Sequence, residues 1–154
     1  MTGMEKETGF IELKRVFSVL HGKNGCMWDK QQTHNSLIGD LQEEVDEFIS
    51  AVKDKDPLHM QEELGDILLH VMFNAQIARK NGNFDIEDVI SGLVCKLKRR
   101  HPHVFGKAKV KSTRQIITNW NRIKAEERRK KKLNARFGGL TVKKKAAFNN
   151  GGNK

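Results

Sequence analysis

The chain has 154 residues, 31% charged and 37% hydrophobic, which suits one domain with a modest core. No apolar run approaches the ~20 residues that span a bilayer, and the stretch from Met1 to Phe10, with Glu5 and Glu7, lacks the apolar segment of a secretory signal. The formal net charge of +10 is divided unevenly: residues 1–90 hold 9 Lys/Arg against 17 Asp/Glu, and residues 91–154 hold 20 against 2. An acidic half suits a metal, and a basic half suits polyanions. Cys26 and Cys95 match neither a disulfide framework nor a zinc spacing, and point to a reducing, cytoplasmic setting.

Helical periodicity predicts five helices in chain order. The first spans about Gly9 to His21, with Phe10, Leu13, Val16, Phe17 and Leu20 on one face. A glycine-containing loop with Cys26, Met27, Trp28 and Asp29 follows. Thr33 or Asn35 is placed to cap the second helix, which runs to about Lys53 on a stripe of Leu37, Leu41, Val45, Phe48 and Val52. Asp56-Pro57 opens the third helix, about Leu58 to Asn81, with Met60, Leu64, Ile67, Val71, Ala75 and Ala78 inside and Gly82 as its stop. Asp85 caps the fourth, Ile86 to about Arg100, on Val89, Leu93 and Leu97. The fifth, about Thr113 to Lys132, carries Ile116, Ile117, Trp120 and Ile123. The segment 133–154, basic and glycine-rich, is expected to be a poorly ordered tail following a domain at 1–132. The expectation is an all-α bundle of four to five helices with antiparallel neighbours.

Four carboxylates stand out. Glu44 and Glu47 are spaced i, i+3, as are Glu63 and Asp66, so each pair lies on nearly one helix face. Both pairs border the apolar stripes. They are either surface acids paired by chance or, with the two helices face to face, a set of oxygen ligands for a hard divalent ion such as Mg²⁺, with Mn²⁺ as a substitute.

The same residues carry a resemblance. Glu43-Glu44-Val45-Asp46-Glu47 followed by Glu63-Leu64-Gly65-Asp66 resembles the EExxE…ExxD pattern of MazG-like nucleoside triphosphate pyrophosphohydrolases. Cys26-Met27-Trp28-Asp29 with Gln32-Thr33-His34 resembles the family's CPWD…QTH segment. Lys96-Leu97 with Arg99-Arg100-His101-Pro102-His103-Val104-Phe105 resembles its KLxRRHPHVF segment, and Trp120 with Ile123-Lys124-Ala125-Glu126-Glu127 its W…IKxEE helix. The likeness covers residues 10 to 130. Met27 departs from the usual proline, and the segment from Leu133 has no clear counterpart.

The resemblance implies a homo-oligomeric helical bundle, dimer or tetramer, that hydrolyses nucleoside triphosphates with Mg²⁺ to monophosphate and pyrophosphate and sanitises nucleotide pools. It makes Glu44, Glu47, Glu63 and Asp66 the metal ligands. Glu43, or one of those ligands, orients the attacking water; Glu43 is equally well a plain surface acid. Lys96, Arg99, Arg100 and Lys124 would grip phosphates, against the alternative of a solvated basic face. Trp120 either stacks on the base or anchors the last helix, and Trp28 either touches substrate or plugs the bundle. Two other readings stay open: a basic helical nucleic-acid-binding protein, with contact through the tail or Arg128 to Lys132, and a narrow relative acting on dUTP, dCTP or phosphoribosyl-ATP.

Overall fold

The structure, a computed structural model, describes residues 3–137, and side chains from 9 to 134. Seven helices are present among the described residues: α1 (Gly3–Leu20), α2 (Met27–Gln31), α3 (Ile38–Asp54), α4 (Pro57–Lys80), α5 (Ile86–Arg100), α6 (Pro102–Phe105) and α7 (Thr113–Phe137). The five expected helices all form, and two of the four connections between them, the first and the last, each tighten into a short helix. The helix α1 starts at Gly3 rather than Gly9. The helix α7 runs through Phe137, so residues 133–137 are helical rather than part of a tail. The remainder of the expected tail, 138–154, lies outside the described residues.

The chain divides into two compact units, one ending at Ile90 and the other starting at Ser91. In the first unit, α3 and α4 form the dominant packing pair. Their connection is only Lys55 and Asp56, so the two helices fold back as a hairpin. Local chemistry closes it from both sides. Lys55 takes a left-handed conformation (φ 56°) and ends α3, its N–H bonding back to Ala51 and Val52 carbonyls. Asp56 accepts hydrogen bonds from the N–H groups of Leu58 and His59 at 3.0 and 3.1 Å, with Pro57 in the first turn. The expected stop and start further on also hold: Gly82 sits at φ 70° after α4, and Asp85 accepts from the N–H groups of Glu87 and Asp88 at 2.9 and 3.1 Å. The cap expected at Thr33 takes another form. Thr33 and Ser36 exchange side-chain-to-backbone hydrogen bonds at 3.0 and 3.1 Å, closing the turn one residue before Leu37.

A small aromatic core holds α1 and the α2 segment to α4. Phe17, Leu37, Met72, Phe73 and Ile77 are buried together, with Phe10, Leu13 and Ile86 packed against them. Phe73 meets Phe17 edge-on at 5.4 Å, and His21 and Trp28 at 5.6 and 6.4 Å. The buried face of α4 agrees with the expected stripe in its second half, where Ala75 and Ala78 are buried, and departs from it in the first. Leu64 and Val71 are exposed, whereas Glu63 and His70 are buried there, and Met72, Phe73 and Ile77 join the buried face further on. The stripe expected inside α5 is exposed as well: Val89, Leu93 and Leu97 all remain on the surface.

In the second unit, one carboxylate ties two helices together. Glu127 on α7 receives Arg99 Nε at 2.6 Å and Arg100 Nη2 at 2.6 Å, both from the end of α5. The Arg100 guanidinium lies 5.1 Å over the Trp120 ring, and His101 meets the same ring edge-on at 4.9 Å.

Candidate metal centre

Hairpin geometry explains why the acidic pairs converge. Glu47 lies seven residues before the end of α3, and Glu63 six after the start of α4. At ~1.5 Å per residue, both sit ~10 Å from the turn. Glu44 and Asp66 lie one turn further along, again at matching depth. The outcome is two overlapping groups. Ligand atoms of Glu44, Glu63 and Asp66 all lie within 4.8 Å of one another, and so do those of Glu47, His59 and Glu63.

Glu63 is the shared member and is buried, 4% exposed. Its Oε1 is 2.9 Å from His59 Nε2. Its Oε2 is buried with no hydrogen-bond partner. A buried carboxylate oxygen with no hydrogen-bond partner costs on the order of 1–3 kcal/mol or more, and the carboxylates of Glu44 and Asp66 come within 4.8 Å of Glu63. Glu44 registers that crowding. Burial, then the proton it can share with Glu63, then repulsion from Asp66, Glu63 and Glu47 push its carboxyl up from 4.5 to about 7. A divalent cation removes both penalties at once, so this donor set fits a hard metal ion.

The remaining expected site residues fall as follows. Glu43 is exposed and belongs to neither group. Trp28 is 58% exposed and rests edge-on against Phe73, on the aromatic core. Lys96 is exposed, and Lys124 is half-buried beside Asn121, Arg128, Arg129 and Lys132 in a basic groove of α7. Arg99 and Arg100 are engaged by Glu127, whose carboxyl they hold down at about 2, the Arg100 hydrogen bond being the larger cause. The cation over Trp120 is Arg100, rather than Lys124 one turn away. His59 is the residue that sequence reasoning missed. Its signal was there: His59 stands i, i+4 from Glu63 on one helix face.

Known proteins resemble this chain over the same region. The MazG nucleotide pyrophosphohydrolase domain family matches residues 32–105, a span that contains all four carboxylates. The chain belongs to the MazG family. It is 51% identical over 129 residues to the nucleoside triphosphate pyrophosphohydrolase/pyrophosphatase MazG of Thermotoga maritima, covering 82% of this chain and 49% of that protein. It is 39% identical over 109 residues to the nucleoside triphosphate pyrophosphohydrolase of Escherichia coli K12, covering 71% and 41%. The crystal structure of a mazG-related protein from Thermotoga maritima superposes with a TM-score of 0.60 at 26% identity, covering 73% of this chain and 98% of that one. The chain thus spans half or less of the length of these two sequence relatives. Among the described residues no helix is long and apolar enough to cross a membrane.

Proposed function

We propose that this MazG-family chain hydrolyses nucleoside triphosphates to nucleoside monophosphate and pyrophosphate, with Mg²⁺ held by Glu44, Glu47, Glu63 and Asp66 and Mn²⁺ as a substitute. The observation that carries this reading is the buried, unpartnered Oε2 of Glu63 amid the carboxylates of Glu44 and Asp66. When bound, the ion supplies charge neutralisation for the phosphate oxygens as the α–β anhydride breaks. The protein's own groups do the rest. Glu63, fixed by burial, and Asp66, one turn along α4, set the donor geometry on α4. Glu44 and Glu47 close it from α3. Glu43 or one of these carboxylates orients a water toward phosphorus and takes its proton. The water oxygen joins one phosphorus while the bridging oxygen leaves with the other phosphate group.

Lys96, Arg99, Arg100 and Lys124 are the proposed phosphate-binding cations of the second unit, and Trp120 and Trp28 the proposed aromatic contacts. Arg99 and Arg100 also hold α7 through Glu127. A nucleotide-sanitising role in the cytoplasm accords with this chemistry and with two exposed free cysteines. The exposed stripe Leu64, Leu68 and Val71 on α4 supports a homo-oligomer, dimer or tetramer, in which a second copy covers it. A second property, weak contact with nucleic acid, is supported by the groove of Lys124, Arg128, Arg129 and Lys132; loss of salt-sensitive DNA binding on neutralising these four would establish it.

The deciding experiment is product analysis on a panel of nucleotides with Mg²⁺. Monophosphate with pyrophosphate is expected. Diphosphate with orthophosphate rules the reaction out, and turnover confined to dUTP, dCTP or phosphoribosyl-ATP assigns the narrower substrate.

A further inference from the structure

Glu127 does more than tie α5 to α7, and the reason lies in which edge of Arg100 it covers. Trp120 and Glu127 stand two turns apart on nearly one face of α7, so a single long side chain can lie against both. Arg100 does so. Its Nε and Nη2 donate to Glu127 Oε2 at 3.1 and 2.6 Å, and its guanidinium lies 5.1 Å over the Trp120 ring. The ring is held in turn. His101 meets it edge-on at 4.9 Å, and His101 Nδ1–H donates to the Leu97 carbonyl at 2.7 Å. One edge and one face of the Arg100 guanidinium are thereby fixed, which sets its plane. Arg99 gives the other carboxylate oxygen a single bond, Nε to Oε1 at 2.6 Å, and its side chain stays 55% exposed against 16% for Arg100.

Three physical accounts of this arrangement compete. A plain tether between α5 and α7 needs no particular edge of the guanidinium, and its loss lowers stability alone. A charge mask offsets two cations, so its loss strengthens the pull on any anion. The third account starts from the donors left over. A guanidinium has five N–H donors, and Glu127 accepts two of those on Arg100. The other three lie at the Nη1–Nη2 end and meet no acceptor among the described residues. That end is the planar fork that fits two oxygens of one phosphate. A fork already held in place does not have to be ordered by each arriving phosphate, so less entropy is lost on binding.

We propose that Glu127 is a positioning residue for phosphate binding: it holds the side edge of Arg100 and, with Trp120 beneath, leaves the Nη1–Nη2 fork set to receive the polyphosphate chain of the substrate. This rests on reading Arg100 as a phosphate-binding cation. The clamp is permanent over the working pH range. The Arg100 hydrogen bond, and Arg99 after it, hold the Glu127 carboxyl at about 2, so it stays ionised in neutral and alkaline solution alike.

The test uses the full chain and two readouts: KM and kcat for nucleoside triphosphate hydrolysis with Mg²⁺, and the Kd of inorganic tripolyphosphate in EDTA by isothermal titration calorimetry. Glu127→Gln should raise KM and Kd by about tenfold, with kcat within about twofold of wild type, equally at neutral and alkaline pH. Glu127→Asp keeps the charge and draws the carboxylate back by one methylene; it should raise both values by about threefold, whereas a charge mask predicts no change. Arg100→Lys keeps the charge and loses the fork. It should weaken binding about as much as Glu127→Gln, and combining the two should add nothing. Ile123→Ala loosens the packing of α7 and removes no charge, so it should lower the Tm and leave KM within about twofold. Values that hold or fall in both Glu127 variants, while Arg100→Lys raises them, overturn positioning and leave Arg100 a phosphate ligand. Additive losses in the double variant, or an Ile123→Ala KM as high as that of Glu127→Gln, also overturn it. If Arg100→Lys changes neither value, the phosphate-binding reading of Arg100 falls and positioning falls with it. The expected pattern of tripolyphosphate binding in a protein that cleaves no nucleotide upholds positioning and removes only the pyrophosphohydrolase reading.

Discussion

Neutralising Glu44 should stabilise the metal-free protein while destroying its response to Mg²⁺. The Glu44 carboxyl is pushed up from 4.5 to about 7, first by burial, then by the proton it shares with Glu63 and by the charges of Asp66, Glu63 and Glu47. The sign follows from the folded state holding that proton more tightly than the unfolded chain does. Below pH 4.5 the group is protonated in both states and costs nothing. Above pH 7 it is ionised in both, and the folded state carries the full repulsion, so stability falls as pH climbs from 4.5 to 7. Each tenfold change in proton affinity is ~1.4 kcal/mol, which caps the cost at ~3 kcal/mol. Glu44 is partly solvated, and screening lowers the figure to ~1–2 kcal/mol. Glu44→Gln removes the charge, keeps the shape, and offers an N–H to the Glu63 carboxylate in place of the shared proton. In EDTA at pH 8 its Tm should exceed that of the wild type by roughly 3–8 °C, and the gap should vanish by pH 4.5. Millimolar Mg²⁺ should raise the wild-type Tm and leave the variant's unmoved. A Glu44→Gln protein less stable than wild type at pH 8 in EDTA would refute the idea that the four carboxylates repel one another in the folded state.

Other expectations are simpler to check. Asp66→Asn should lower pyrophosphate release by about a hundredfold, ~2.7 kcal/mol of barrier, with helicity by circular dichroism intact. Lys55→Gly relieves the left-handed conformation at φ 56° and should stabilise the α3–α4 hairpin by up to about 1 kcal/mol in urea unfolding, the gain being limited by the entropy of glycine. Glu127→Gln should cost about 2 kcal/mol and speed hydrogen exchange along α7, because Arg99 and Arg100 lose their shared partner. The folded Glu127 carboxyl lies at about 2, below its ordinary 4.5, so its contribution is complete above pH 4.5 and is lost as pH falls toward 2. Acid titration of the wild type, monitored on α7, should show that loss, and the variant should not.

What could be read from the residues divides along a physical line. The convergence of Glu44, Glu47, Glu63 and Asp66 needed only helical spacing and a tight break. Asp56-Pro57 supplies the break, and a two-residue link leaves little freedom in the register of the hairpin. The reach of α1 and α7 beyond their expected ends was hidden because neither Gly3 nor Leu133 to Phe137 belongs to an apolar repeat; those turns are extensions of helices already formed. The inward face of α4 was read correctly at Ala75 and Ala78 and misread in the first half, for a different reason. Periodicity ranks faces by hydrophobicity, and there it selected Leu64 and Val71, while the folded helix buries Glu63 and His70. A protein that gathers carboxylates gives up its best apolar stripe on that helix to do so, and the displaced leucines are left outside. The same logic hid His59 and Glu127. One is a histidine placed by a helix cap rather than by a stripe; the other finds its partners 27 and 28 residues away, beyond any local period. If that trade between site and core is right, replacing Glu63 with Leu should make the metal-free hairpin more stable and abolish metal binding. A Glu63→Leu protein that unfolds more easily than the wild type in EDTA would mean that the buried carboxylate is supported by contacts other than a cation.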